Sequence, residues 1–146
     1  MAHSIPERLC MLSRTWRVLA LLSGVCVLAV LLTARALEPD TDGFGTHQQL
    51  GLPPCTSVAL FGVKCPSCGM TTSWSLATRG RVLEAASVNA GGLLLAIIAM
   101  AYLPASCYFS CVGRSTRGSW FSLALGISIL TSLAIAVAQW LWRLNT

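Results

Sequence analysis

The most chemically loaded stretch of this chain is Lys64-Cys65-Pro66-Ser67-Cys68-Gly69-Met70-Thr71-Thr72. A C-x-x-C pair brings two thiols within one turn of chain. That spacing serves a dithiol–disulfide switch, or it supplies two thiolates to a zinc ion. Pro66 suits the first position of a helix, where its missing N–H is harmless. This predicts Cys65 near a helix N-cap, where the helix dipole favours a thiolate, with Cys68 one turn later on the same side. A lone pair is half of a zinc site. The other ligands must come from Cys55, His47 or a partner chain, because the sequence holds no second C-x-x-C and no H-x-x-x-H. Cys55, Cys65 and Cys68 are therefore the candidate metal ligands, and zinc is the candidate ion. In an oxidising compartment the same residues read as a structural disulfide, Cys55 with Cys65 or Cys68, leaving one thiol over. Redox chemistry would use Cys65 as the attacking and Cys68 as the resolving thiol. Such pairs usually sit in a thioredoxin-like βαβ unit, which this chain cannot build.

Other chemistries find little to stand on. There is no G-x-S-x-G nucleophile turn and no phosphate-binding glycine loop. The two histidines, His3 and His47, lie outside any periodic segment. Glu38, Asp40 and Asp42 are scattered through Leu37–Leu52 among Gly43, Gly45 and Gly51, ahead of Pro53-Pro54. They lack the terminal Glu of a calcium loop, and the segment reads as an extended, solvated linker. Cys55–Val63 is apolar but too short to cross a membrane, so it is expected in the interface. Gly80 is placed to stop the short helix that follows the cysteine motif, with Arg79 in its last turn.

The elements that carry this loop are membrane helices. The chain has 146 residues, 55% hydrophobic and only 10% charged, against about 25% charged in ordinary soluble domains. Mean hydropathy is +0.70. This excludes a disordered chain and disfavours a soluble one. Three stretches lack a charged side chain over spanning length: Val18–Ala34, Ala85–Gly113 and Gly118–Trp142. A crossing needs about 20 apolar residues, so the first is extended to Leu37 with Arg35 snorkelling to the headgroups. The expected layout is an N-tail over 1–17, spans over 18–37, 85–113 and 118–142, and a loop over 38–84 carrying the motif and its short helix. The fold class is all-α. Trp16, Trp120, Trp140 and Trp142 fall at span ends, as interfacial rings do.

The net charge of +5 comes from arginines flanking apolar runs, so it speaks of topology and not of nucleic acid. Arg8, Arg14 and Arg17 crowd the N-tail, and Arg114 and Arg117 the short connection. This density predicts a cytoplasmic N-terminus with the long loop and the C-terminus outside. Val18–Leu32 followed by Ala34-Arg35-Ala36 also fits a cleavable signal peptide. No span carries an acid or base at its middle, which disfavours a pump or an ion-coupled transporter. Pro104 is expected to kink the second helix. Cys107 and Cys111 share one of its faces and read as apolar filler. On the third helix Ala124, Ser128, Ser132 and Ala136 form a small-residue stripe, and Gly118, Ser122 and Gly126 a second ridge. They are expected to pack on the protein's own helices, with a homo-oligomer contact as the alternative.

From Gly51 to about Leu95 the chain resembles the bacterial membrane-protein family called domain of unknown function 2752. The resemblance rests on Pro54-Cys55, Cys65-Pro66-Ser67-Cys68-Gly69-Met70-Thr71, Arg79-Gly80 and Asn89 before an apolar span. Many members have Arg where this chain has Thr72, and Asn-Pro where it has Asn89-Ala90. The family implies a small multi-span membrane protein and no activity. The expectation is a non-enzymatic component or partner of a membrane assembly, without a cofactor unless the cysteines hold zinc. Its surroundings would be the lipid bilayer and other membrane proteins.

Overall fold

In the computed structural model, residues 10–11, 13–115 and 119–145 are described, the side chains of 10–11 and 114–122 excepted. The described residues form five α-helices: α1 (Arg14–Ala36), α2 (Thr56–Phe61), α3 (Met70–Thr78), α4 (Val82–Val112) and α5 (Ser119–Leu144). A short 3₁₀ turn covers Thr46–Leu50. Cys10–Met11 and Arg114–Ser115 form a two-residue antiparallel pairing. The architecture is all-helical in every other described element. Helices α1, α4 and α5 are long and apolar enough to cross a membrane. At 1.5 Å per residue each exceeds the hydrocarbon thickness of about 30 Å. The chain is a small integral membrane protein.

The side-chain arrangement is that of a bundle in lipid. Large aliphatics point outward, as at Leu21, Leu28, Ile127, Leu130 and Leu133, while Ala85, Ala96, Ala99 and Ala136 fill the contacts between helices. Lipid tails are as apolar as leucine, so close backbone approach and hydrogen bonds hold such helices together. Helix α4 takes α1 on one side and α5 on the other, and α3 lies against both α1 and α4. At Gly91 of α4 an added Cβ would collide with the Ser132 carbonyl oxygen and stand 2.9 Å from the Ala136 nitrogen. The C-terminal half of the small-residue stripe is therefore an intramolecular contact, with Ser132 and Ala136 both buried. Gly126, the described glycine of the second ridge, is open: a Cβ added there would have nothing within 4 Å. Gly118 and the side chain of Ser122 lie outside the described residues.

Polar groups pin both ends of the bundle. At one end the Arg17 guanidinium donates to the carbonyls of Ser110 (2.8 Å) and Cys111 (3.0 Å), closing the C-terminus of α4. Midway, the Ser23 and Tyr102 hydroxyls meet at 2.7 Å. At the other end Ser75 Oγ donates to the Leu37 carbonyl, and Arg35 to the Thr78 carbonyl. The loop, the start of α4 and the end of α5 all gather at this second end, which forms a cap on the bundle.

The break in α4 is at Asn89 (φ −157°, ψ 101°), not at Pro104. Pro104 sits in a stretch that keeps helical dihedrals. Residues 37–52 also depart from the expected solvated linker. Thr46 is wholly buried there, and its hydroxyl takes the Asp40 amide and meets Thr72 Oγ1 at 2.8 Å. A threonine pair, unlike a carboxylate, can enter the cap without leaving a charge unpaired.

Candidate functional site

Two turns bring three sulfurs together. Cys55 is the N-cap of α2, which ends at Gly62 in the left-handed conformation (φ 67°). The chain then doubles back through Val63 and Lys64 to the second cysteine, and Trp140 Nε1 donates to the Lys64 carbonyl at 2.6 Å. Cys65–Cys68 is a tight turn in which the Cys68 amide donates to the Cys65 carbonyl at 3.0 Å. Pro66 occupies the second position of this turn, which proline pre-sets by its fixed φ. Helix α3 starts only at Met70, with Gly69 as its N-cap. The expectation that Cys65 caps a helix beginning at Pro66 is thus corrected. The pyrrolidine serves a turn, and the helix waits for the glycine.

Gly69 has φ +82°, and a Cβ there would lie 2.7 Å from both the Gly43 carbonyl oxygen and Val88 Cγ1. The turn is held from the other side by Asn89, which is 2% exposed. Its Nδ2 donates to the carbonyls of Pro66 and Cys68, both at 3.2 Å. Its Oδ1 accepts the Gly92 amide at 2.7 Å, which makes Asn89 the N-cap of the spanning part of α4. One amide thus starts a helix and clamps the cysteine turn.

The backbone groups freed by this break are accounted for. Ser73 Oγ is shared between the Ala85 (3.0 Å) and Asn89 (2.9 Å) carbonyls. Gln139 Nε2 donates to the Ala86 carbonyl at 3.0 Å, and its Oε1 accepts the Ala90 amide at 2.7 Å. The Arg143 guanidinium donates to the carbonyls of Ser87 and Val88. Sequence reasoning missed Ser73, Gln139, Arg143 and Thr46. The readable signal was the polar Gln139 inside an apolar helix, a group that must find a partner.

Cys65 Sγ stands 3.1 Å from Cys68 Sγ and 3.5 Å from Cys55 Sγ, and the three sulfurs lie within 4.8 Å of one another. All three are half-buried free cysteines. The Cys65 amide points at Cys68 Sγ at 3.1 Å. Backbone amides of Val58 and Ser57 and the neighbouring sulfurs bring the Cys55 thiol down to about 7. Burial, with the Cys65 sulfur beside it, pushes Cys68 up to about 12. A cavity of about 280 Å³ opens beside the sulfurs, lined also by His47, Met70 and Thr71. His47 makes no part of the sulfur cluster, and its Nε2 meets the Pro53 carbonyl at 3.2 Å. On the far side of Cys65 and Cys68 a second cavity of about 250 Å³ is lined by Asn89, Gln139 and Arg143. Cys107 and Cys111 are exposed at the opposite end of the bundle, far along α4 from this cluster.

Residues 55–103 match the family model described as Protein of unknown function (DUF2752). The match runs from Cys55 through the cysteine turn and α3 into α4, and bears out the resemblance seen in the motif. Gln139 and Arg143, which complete the joint at Asn89, lie outside it. No curated protein and no solved structure matches the chain. Two departures from the family pattern have local accounts. At position 90, where many members have proline, the alanine keeps an N–H and Gln139 takes it up. At position 72, where many have arginine, the threonine is buried and its hydroxyl meets that of Thr46.

Proposed function

We propose that this protein is a non-enzymatic component of a membrane assembly in the bacterial plasma membrane, with a cap on the outer face that the Cys55–Cys65–Cys68 cluster fastens. The observation that carries the reading is where the sulfurs sit. They lie at the junction of α2, α3, the α4 break and the end of α5, surrounded by hydrogen bonds whose partners are backbone carbonyls. That is the setting of a fastener. In this reading the arginine-rich N-tail and the α4–α5 connection are cytoplasmic. Helix α1 is a retained span, in keeping with its bonds to α3 and α4. Helix α2 lies in the interface with Leu60 and Phe61, both mostly exposed, turned to lipid. Partners are other membrane proteins, or a second copy of the chain meeting the open Gly126 side of α5.

The test is the paired variant C65S/C68S in the full chain. It is expected to lower the steady-state level in membranes and to open residues 55–80 to protease added outside intact cells. An unchanged level and unchanged protection, together with loss of a thiol-exchange activity, would overturn the reading in favour of a redox role.

A further inference from the structure

We infer that Cys55, Cys65 and Cys68 form a trithiolate site for one thiophilic cation of the zinc class, with the fourth coordination position facing the cavity beside His47. The inference rests on the reading of the cluster as the fastener of the cap, and names what does the fastening.

Three observations carry it. The first is the number of sulfurs. A disulfide needs two, and the C-x-x-C turn already supplies two, yet the Gly62 reversal brings a third from a separate segment to 3.5 Å of Cys65. Sulfurs bound to one tetrahedral zinc at about 2.3 Å stand about 3.8 Å apart. The cluster, at 3.1 Å, 3.5 Å and within 4.8 Å overall, closes on an ion with sub-ångström shifts. The second is rigidity. The turn is set by Gly69, whose absent side chain lets Gly43 and Val88 approach, and by the Asn89 clamp on its two carbonyls. A ligand pair fixed through its backbone is what a metal site needs and a disulfide does not. The Cys65 amide aimed at Cys68 Sγ supplies the outer-sphere hydrogen bond that bound thiolates take. The third is ligand hardness. Among the described residues no carboxylate lines either cavity flanking the sulfurs, so the site offers nothing to calcium or magnesium. Arg143 borders the far cavity, where its guanidinium offsets part of the negative charge of three thiolates on one divalent ion.

The experiment uses the full chain in detergent, purified without reductant for its intact mass and metal content, then reduced and given zinc, with cobalt(II) as the optical probe. The expected result is one zinc per chain, with sulfur-to-cobalt charge-transfer and tetrahedral d–d bands for the cobalt form. Cys55, Cys65 and Cys68 should resist alkylation until a chelator is added, while Cys107 and Cys111 respond to no chelator. C55S should lose the tetrahedral bands. Because the protection assay needs no variant, the proposal stands or falls even where C55S fails to fold. An intact mass two hydrogens lighter, with a pair of these cysteines joined, would overturn the metal and leave the cysteine-held cap standing. Three reactive thiols with no zinc would overturn both.

Discussion

Asn89 is the residue whose removal should be felt at both ends of its three hydrogen bonds. In N89A the Gly92 amide loses its cap, a loss of about 0.5–2 kcal/mol. The Pro66 and Cys68 carbonyls lose a donor each, about 0.5–1.5 kcal/mol apiece. The site is 2% exposed, so water does not replace them. The expected destabilisation is about 2–4 kcal/mol, which for a chain of this size is about 5–15 °C in melting temperature. N89D separates the two roles. Its carboxylate still accepts from Gly92, so the start of the spanning helix is kept, but it sets oxygen against the two carbonyls of the cysteine turn. Melting followed by tryptophan fluorescence in detergent gives the total. Hydrogen exchange read by mass spectrometry gives its location, through the Cys68 and Met70 amides that close the turn. N89A should speed exchange in the turn and at Gly92, and N89D in the turn alone. If N89A melts with the parent and its turn amides exchange no faster, the clamp does not exist and the account of the site is wrong.

Two further pairs of variants test the break in α4 and its packing on α5. A90P should cost about 1–2 kcal/mol: Asn89 is already extended and position 90 is the first of a helix, so the backbone accepts proline. The cost comes from Gln139, which loses the Ala90 N–H and must turn away from the ring. I97P, inside the spanning part at an outward-facing side chain, should cost about 3 kcal/mol or more through the backbone, and equal melting of the two would refute the break. G91A should weaken α4–α5 packing by about 1–3 kcal/mol in the same melting assay, since its Cβ meets backbone at Ser132 and Ala136. G126A, which meets nothing, should leave melting unchanged.

The three spans were legible because hydropathy sums over twenty residues and one misplaced side chain does not erase it. The cysteine motif was legible as a site, but its proline was read as a helix start, a position it suits as well as the second place of a turn, and the helix begins only after Gly69. The break was not legible, since attention goes to Pro104, the residue with the stronger local rule. An Asn followed by Gly91-Gly92 is the quieter mark of a helix start. Thr46 was hidden for a related reason. Its neighbours Asp40, Asp42 and Gly45 are those of a solvated loop, and only the partner at Thr72, 26 positions on, shows that it enters the cap. The convergence of Cys55 on the turn depends on the reversal at Gly62 and on Trp140 holding the Lys64 carbonyl, a long-range agreement that no spacing rule encodes.

The joint at Asn89 also sets an order of events in time. It is complete only when Gln139 and Arg143 reach the carbonyls of residues 86–88, and those side chains are made about seventy residues after Cys68. At elongation rates of about 5–20 residues per second, that interval is about 4–14 s. Throughout it the three thiols exist without their finished housing. Whatever ion or oxidant is at hand meets them as a nascent, open loop, and the last turn of α5 arrives afterwards to lock in the outcome.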